Sequence, residues 1–440
     1  MNLRQTRLVE ITYSAGGSGE GPATWGQAAK WDVIRNLGAD AARYNVSGGT
    51  PITPGVSFGQ VSSIVSFLVL RHESLRTRLF ETETGLCQRV DGAGAIPATV
   101  WRCEPEDVTE TAYSLYHELQ DRPFEPGSPP IRIGLVEAGQ LVRYLIFSLS
   151  HTTSDGWGLR NLLADCTGLL AGDTLGDGLV QPLAEADFQV SERGRRRDAA
   201  ARRYWRDKLQ AAPLSQFPSR AGMPPAERFP NAVLNSPALS LATDFVAEHL
   251  EVSPSAVLLA AASACTEARN AVFQVVVNNR FLPGMAGSVN AIAQEGLFCL
   301  TATDDGFATL VRRAFGATLS AHRHAYYDKL ALDRDLAALP VTGDFSCIVN
   351  DLRGMVPILG YAKAAPIPLC EARDRTTLSW PVEFDPRVNV TFALDAQDAP
   401  DSMELAMTAD GAVLPRSEME RFLYGMEELV IGQALALGAK

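Results

Sequence analysis

The run Ser148-Leu149-Ser150-His151-Thr152-Thr153-Ser154-Asp155-Gly156-Trp157-Gly158 holds the residue types best suited to acid–base chemistry. Imidazole titrates near neutrality, and a loop at the mouth of a strand presents it to a cavity, which suits His151 to a general base. Asp155 is spaced to fold back and brace that loop, and Gly156 allows the tight backbone path. A carboxylate held by an arginine keeps a low pKa, so Asp155 is expected to act as a brace and not as a proton carrier. Arg71 and Arg76 are the best-placed partners for it. From the residues alone two readings stay open, a general base and a partly exposed loop histidine.

Other candidate residues carry less chemistry. His72 and Glu73 stand at a helix end beside Arg71 and read as structural. His322 and His324 form an HxH with Asp328 nearby, but without a third histidine in reach a solvated helix face is the expectation, and no metal site is expected. Gly16 to Gly21 fits neither GxGxxG nor GxxxxGK[ST], so it reads as loop. The absence of GxSxG removes a hydrolase nucleophile elbow.

The elements that must position these residues follow from periodicity. Helices are expected over Thr24 to Leu37, with Thr24 as cap, and over Ser57 to His72, where Val61, Ile64, Val65, Leu68 and Val69 recur at helical steps. Strands are expected at Leu75–Glu81 and Leu86–Val90, then a helix from Glu106 to Gln120. Ile131–Glu137 and Leu141–Ser148 flank Ala-Gly-Gln, a hairpin signal, and the second strand delivers the chain to Ser150-His151. A helix resumes over Leu159–Leu170. Gly172 to Pro182 reads as a linker, followed by an arginine-rich helix and a Pro-rich segment from Pro213 to Pro237. Beyond it come helices at Ser255–Arg269, Phe307–Leu330 and Ser417–Leu435. Strands are expected at Val272–Val277, Phe345–Val349, Val388–Leu394 and Met403–Met407. The picture is α/β, with an N-terminal lobe over residues 1–175 and a linker and C-terminal lobe over 176–440.

Composition narrows the function classes. The chain has 440 residues, 46% of them hydrophobic, with 39 Lys+Arg against 51 Asp+Glu and a formal net charge of −12. A deficit of positive charge argues against nucleic-acid or membrane-surface partners. Seven scattered cysteines without a CxxC pair read as free thiols in a reducing cytosol. The N-terminus lacks an apolar signal core, and no run of about eighteen apolar residues spans a membrane. A cytoplasmic protein is expected. Residues 193–208 hold eight Lys/Arg against Asp198 and Asp207, which leaves −18 on the remainder. That helix, with Arg193, Arg195, Arg196 and Arg197 at its start, is either a dock for an acidic partner or a solvated face with arginine stems on apolar neighbours.

Two segments in register resemble a known family. Ser150-His151 through Gly156 is similar to the HHxxxDG motif of the nonribosomal peptide synthetase condensation domains, and Arg71-His72-Glu73-Ser74-Leu75-Arg76-Thr77-Arg78-Leu79 resembles their RHExLRTxF motif. Thr24-Trp25-Gly26-Gln27, Tyr204-Trp205 with Leu209, Gly296-Leu297-Phe298 and the closing helix around Arg421 to Leu435 fit as well. Ser150 replaces the first histidine of the motif, Leu300 stands where asparagine is usual, and His322 to Tyr327 barely keeps a later motif.

The resemblance implies two chloramphenicol-acetyltransferase-like lobes in a V with an active-site tunnel between them. It implies a catalytic set of His151, Asp155 and Gly156, with Ser150 and Trp157 at the tunnel, Trp157 serving equally well as a core cap. The implied reaction joins a carrier-protein-bound acyl or aminoacyl thioester to an acceptor amine, either a small molecule or a second carrier-bound group. His151 would accept a proton or orient the acceptor. Phosphopantetheine arrives on the donor carrier, so no cofactor is expected of this chain. The length is nearly used up by such a fold, so a freestanding condensation enzyme in natural-product biosynthesis is expected. An ester-forming enzyme with a hydroxyl acceptor and a non-catalytic carrier-recruiting domain are the alternatives. A plant-type acyl-CoA transferase is discounted because no DFGWG occurs.

Overall fold

The computed structural model describes residues 6–14, 16–125, 127–217, 228–302, 304–340, 342–355, 367–381 and 390–439. The chain divides into two compact units. One comprises Met1–Asp198, Asn278–Ala293 and Asp328–Ala331; the other comprises Ala199–Val277, Gln294–Tyr327 and Leu332–Lys440. The expected boundary lay at 175/176; the first unit runs on to Asp198 and also takes two later segments.

In chain order the first unit builds β1 (Thr6–Tyr13), β2 (Gly19–Pro22), α1 (Trp25–Leu37), β3 (Val46–Val56), α2 (Phe58–Arg71), β4 (Thr77–Thr82), β5 (Gly85–Val90), β6 (Gly94–Arg102), α3 (Val108–Gln120), β7 (Ile131–Ala138), β8 (Leu141–Leu149), α4 (Gly156–Ala171) and α5 (Pro182–Val190). The main sheet runs β1-β6-β7-β8-β3, with β6 and β7 parallel and the other pairs antiparallel. β2, β5 and β4 form a separate small sheet. Side chains alternate across β8. Leu145, Phe147 and Leu149 enter the core under α2 and α4, whereas Ile146 enters the core under α3. The sheet is therefore covered on both faces.

Helix α2 begins at a capping box, in which Ser57 and Gln60 exchange hydrogen bonds, and it buries Val61, Val65, Leu68 and Val69 as the periodicity requires. Four strands of this unit escape the periodic reading. β1 and β6 are two of them, and β2 is a third: the stretch expected as loop at Gly16 to Gly21 runs from Gly19 into a strand paired with β5. The fourth, β3, carries VSGGTPITPGV and tolerates its prolines because it lies at the sheet edge.

The helix α6 (Glu192–Gln210) leads into the second unit. There follow β9 (Asn231–Ser236), α7 (Pro237–Leu250), α8 (Pro254–Cys265), β10 (Asn270–Val277), β11 (Gln294–Thr301), α9 (Phe307–Arg323), α10 (Lys329–Ala337), β12 (Cys347–Asp351), α11 (Leu369–Arg373), β13 (Thr377–Ser379), β14 (Phe392–Ala399), β15 (Ser402–Ala409) and α12 (Arg416–Ala436). The sheet order is β11-β10-β12-β14-β15-β9-β13. The helix expected over Phe307–Leu330 breaks after Arg323, and part of the expected Val388–Leu394 strand lies outside the described residues, as does part of the Pro-rich segment. No single described helix is long and apolar enough to cross a membrane; the bent pair α7 and α8 meets the length and composition test but is core of the second unit.

Candidate active site

Strand β8 ends at Leu149, and its extension is pinned where Ser150 N donates to Pro130 O (2.9 Å). Thr153 N donates back to Ser150 O (2.9 Å), closing a turn whose second residue is His151. Asp155 then caps α4: its Oδ1 accepts from Gly158 N at 2.8 Å, so the helix starts at Gly156, three residues before the expected Leu159.

The remaining partners of Asp155 come from far along the chain. Its Oδ2 accepts from Ile292 N (3.0 Å) and Ala293 N (2.8 Å), and Arg280 Nη1 lies 2.9 Å from Oδ1 and 3.1 Å from Oδ2. Arg280 also donates to Ser288 O, Asn290 O and Asn278 O. Both charged groups are almost fully buried. Burial alone would raise the Asp155 carboxyl, but the charge and hydrogen bonds of Arg280, with Gly158 N and Ala293 N, hold it below its ordinary value.

This corrects the expected pairing. Arg71 and Arg76 do not meet Asp155. Arg71 Nε binds Asp165 Oδ2 (2.9 Å), an oxygen shared with His72 Nε2, and its Nη2 donates to Gly176 O (2.7 Å). Arg76 donates to the carbonyls of Val69, Gly17 and Asp91. The RHExLRT-like segment thus ties α2 to α4, to the small sheet and to the segment after α4. His72 is buried, and its structural role stands.

Two glycines admit the 278–293 segment. A Cβ on Gly158 would lie 2.2 Å from Ser154 Oγ and 2.8 Å from Val289 O; one on Gly26 would lie 1.8 Å from Ala291 O. Neither spacing gave that away. Arg280 did leave a trace, being the single basic residue between Arg269 and Arg312.

His151 is held differently. Its Nδ1 lies 2.9 Å from Ser154 O, and a carbonyl can only accept, so Nδ1 carries the proton and Nε2 the lone pair. Among the described residues Nε2 has no partner. The Tyr44 ring lies 4.7 Å from the imidazole, tilted by 42°. Desolvation first, and then the charge of Lys30, lower the His151 pKa to about 4 against a weaker upward pull from Asp155. The ring is neutral at pH 7. Lys30, which the sequence reading did not single out, lies on α1 at 9% exposure.

Ser150 Oγ bonds Thr152 Oγ1 (2.9 Å), and both residues line a cavity of about 800 Å³ within the first unit. Trp31, Ile34, Phe80 and Phe124 give it apolar walls. Trp157 is half-buried, with the Arg160 guanidinium 5.3 Å over its ring. His324 stacks on Tyr204 at 4.2 Å and bonds Ser320 O. On α6, Arg193, Arg195 and Arg196 are exposed, with Arg196 paired to Glu192, and Arg197 is partly buried.

The buried cap and the neutral histidine stand at the end of a covered α/β sheet, and comparisons with known proteins give the family of the chain that carries them. A Condensation domain family model matches residues 27–338. The nonribosomal peptide synthetase sidD of Aspergillus fumigatus is 32% identical over 150 residues, 34% of this chain and 7% of that protein. The phosphinothricin tripeptide synthetase PhsC of Streptomyces viridochromogenes is 29% identical over 203 residues, 44% of this chain and 18% of its own length. The chain thus spans less than a fifth of these curated relatives. Among solved structures, the condensation domain of the monacolin K polyketide synthase MokA superposes with a TM-score of 0.72 at 15% identity, covering 95% of this chain and 98% of that one. A structure reported for condensation-domain-mediated chain release from the enacyloxin polyketide synthase gives 0.69 at 17% identity, covering 90% and 79%. The chain belongs to the condensation-domain family, whose members are in general acyltransferases, and it shares the chloramphenicol-acetyltransferase-like fold of those structures.

Proposed function

We propose that this chain joins a carrier-protein-borne acyl or aminoacyl thioester to an acceptor amine, with His151 as the base. The observation that carries this reading is the fixed tautomer: Nδ1–H is committed to Ser154 O, and Nε2 keeps a lone pair at neutral pH. The amine nitrogen attacks the thioester carbonyl and a C–N bond forms. The ammonium proton passes to Nε2, the C–S bond breaks, and His151 returns the proton to the departing thiolate. An imidazole with a pKa near 4 is a weak base but, once protonated, a strong acid. Taking a proton from an ammonium is uphill for such a base, whereas giving it to the thiolate is strongly downhill, so the two transfers are coupled to C–S cleavage.

Asp155, Arg280 and Gly156 shape the loop without touching the reacting atoms. Ser150 and Thr152 border the 800 Å³ cavity, which offers apolar room for a substrate group; His151 itself is not among its lining residues. The thioester is already activated, so the step asks for no metal or cofactor from this chain; phosphopantetheine belongs to the donor. The exposed Arg193, Arg195 and Arg196 offer an acidic carrier a basic face on a chain of net charge −12. A reducing, cytoplasmic setting belongs to this reading, and seven free thiols suit it.

The experiment is intact-mass spectrometry of acyl-loaded carrier proteins incubated with the enzyme and a panel of amines and alcohols. Carrier unloading with an amide product, lost in His151→Ala, is expected. Unchanged unloading in that variant contradicts the role of His151, and a preference for alcohols contradicts the amide reading.

A further inference from the structure

Helix α1 is fixed at its first turn more firmly than a surface helix needs. Thr24 and Gln27 form a capping box, Gln27 Nε2 donates to Gln88 Oε1 (3.1 Å), and Trp25 N donates to Gln189 Oε1 (2.9 Å). Lys30 follows Gln27 by three residues and Gly26 by four, so all three lie on the same inward face, and all three are buried. Lysine is rarely buried to this degree. Its Nζ sits 5.8 Å from the centroid of Tyr44, and the Tyr44 ring in turn sits 4.7 Å from that of His151. The buried cation and the imidazole thus share one aromatic neighbour.

We propose that Lys30 is a positioning residue for His151, holding a positive charge beside Tyr44 so that the imidazole stays neutral and Nε2 stays available as the base. This rests on the reading of His151 as the base. Among the described residues, the charged and titratable groups acting on the ring are Lys30 from α1, Tyr44 from the 3-10 segment Gly38–Tyr44, and Asp155 at the start of α4. Asp155 pulls the other way, but its charge is already answered by Arg280 at 2.9 Å. After desolvation, Lys30 acts on His151 more strongly than Asp155 does. Protonating the imidazole would set a second cation near the first, which is unfavourable. The same repulsion speeds the return of the proton to the leaving thiolate.

The test needs no substrate. Histidine-labelled protein is titrated by NMR, with His151 assigned by its loss in His151→Ala. In Lys30→Met the His151 midpoint is expected to rise by about one pH unit or more toward its ordinary value, because a like charge has gone. Lys30→Arg keeps the charge and is expected to keep the native midpoint. Lys30→Gln repeats the experiment should the Met variant not fold. An unchanged midpoint in either folded neutral variant overturns the proposal, as does an equal rise in Lys30→Arg. Once a transferred substrate pair is known, the acid limb of the kcat/KM profile is expected to move with the NMR midpoint. Absence of acyl transfer would defeat the proposed function and leave the titration result standing.

Discussion

His151 and Asp155 stand four residues apart in one motif, yet their surroundings are opposite. Asp155 is buried under three backbone N–H groups and a guanidinium that is itself hydrogen-bonded to three carbonyls. His151 has one hydrogen bond, one tilted ring and a free Nε2. A fully satisfied ion pair fixes the backbone, and an under-satisfied imidazole beside it keeps its chemistry available. The burial that would penalise Asp155 is offset by Arg280, whereas the burial that depresses His151 is reinforced by Lys30. The motif therefore separates a framework end from the proposed reactive end, and substitutions at the two ends should fail in different ways.

The largest effect is expected at the reactive end. His151→Ala should lower turnover by about 10²- to 10⁴-fold, the usual worth of a general base, with the unfolding midpoint nearly unchanged. Comparable losses in activity and stability would erase the distinction. At the framework end, Arg280→Met leaves a buried carboxylate without its counter-charge and should cost about 3 to 5 kcal/mol in denaturant-measured stability. A cost below about 1 kcal/mol would show that Asp155 is not held as described. Gly158→Ala drives a methyl toward Ser154 Oγ and Val289 O, and should cost about 1 to 3 kcal/mol from overpacking.

The smallest effect is in pH dependence. The His151 pKa is lowered from 6.5 to about 4 on folding, so the unfolded chain binds the proton more tightly. The resulting stability is fully present above about pH 6.5 and is lost as the pH falls toward 4. Native protein should therefore lose stability relative to His151→Ala between about pH 7 and pH 5 in matched urea titrations. A parallel fall in both proteins would place the ring in solvent.

The strand, turn and helix that carry His151 were legible in the sequence because they are local. A strand, a turn and a capped helix lie within twenty residues, and Ser57 and Thr24 announce their helices by capping chemistry that needs no distant partner. The framework end was not, because its partner comes from a segment over a hundred residues downstream. Arg71 and Arg76 looked apt by proximity to a matching motif, yet each is consumed by nearer acceptors: Asp165 for the first, three carbonyls for the second. Gly26 and Gly158 matter because of what approaches them, which spacing does not report. Lys30 was hidden as one lysine in an amphipathic helix; only the fold sets it 5.8 Å from the Tyr44 ring.

The central claim is that His151 is a neutral imidazole with its proton on Nδ1. Its ¹⁵N chemical shifts at neutral pH, followed through an acid titration, test this most directly. The account predicts the Nδ1–H tautomer with a midpoint near pH 4. An Nε2–H tautomer, or a midpoint near the ordinary 6.5, would contradict it.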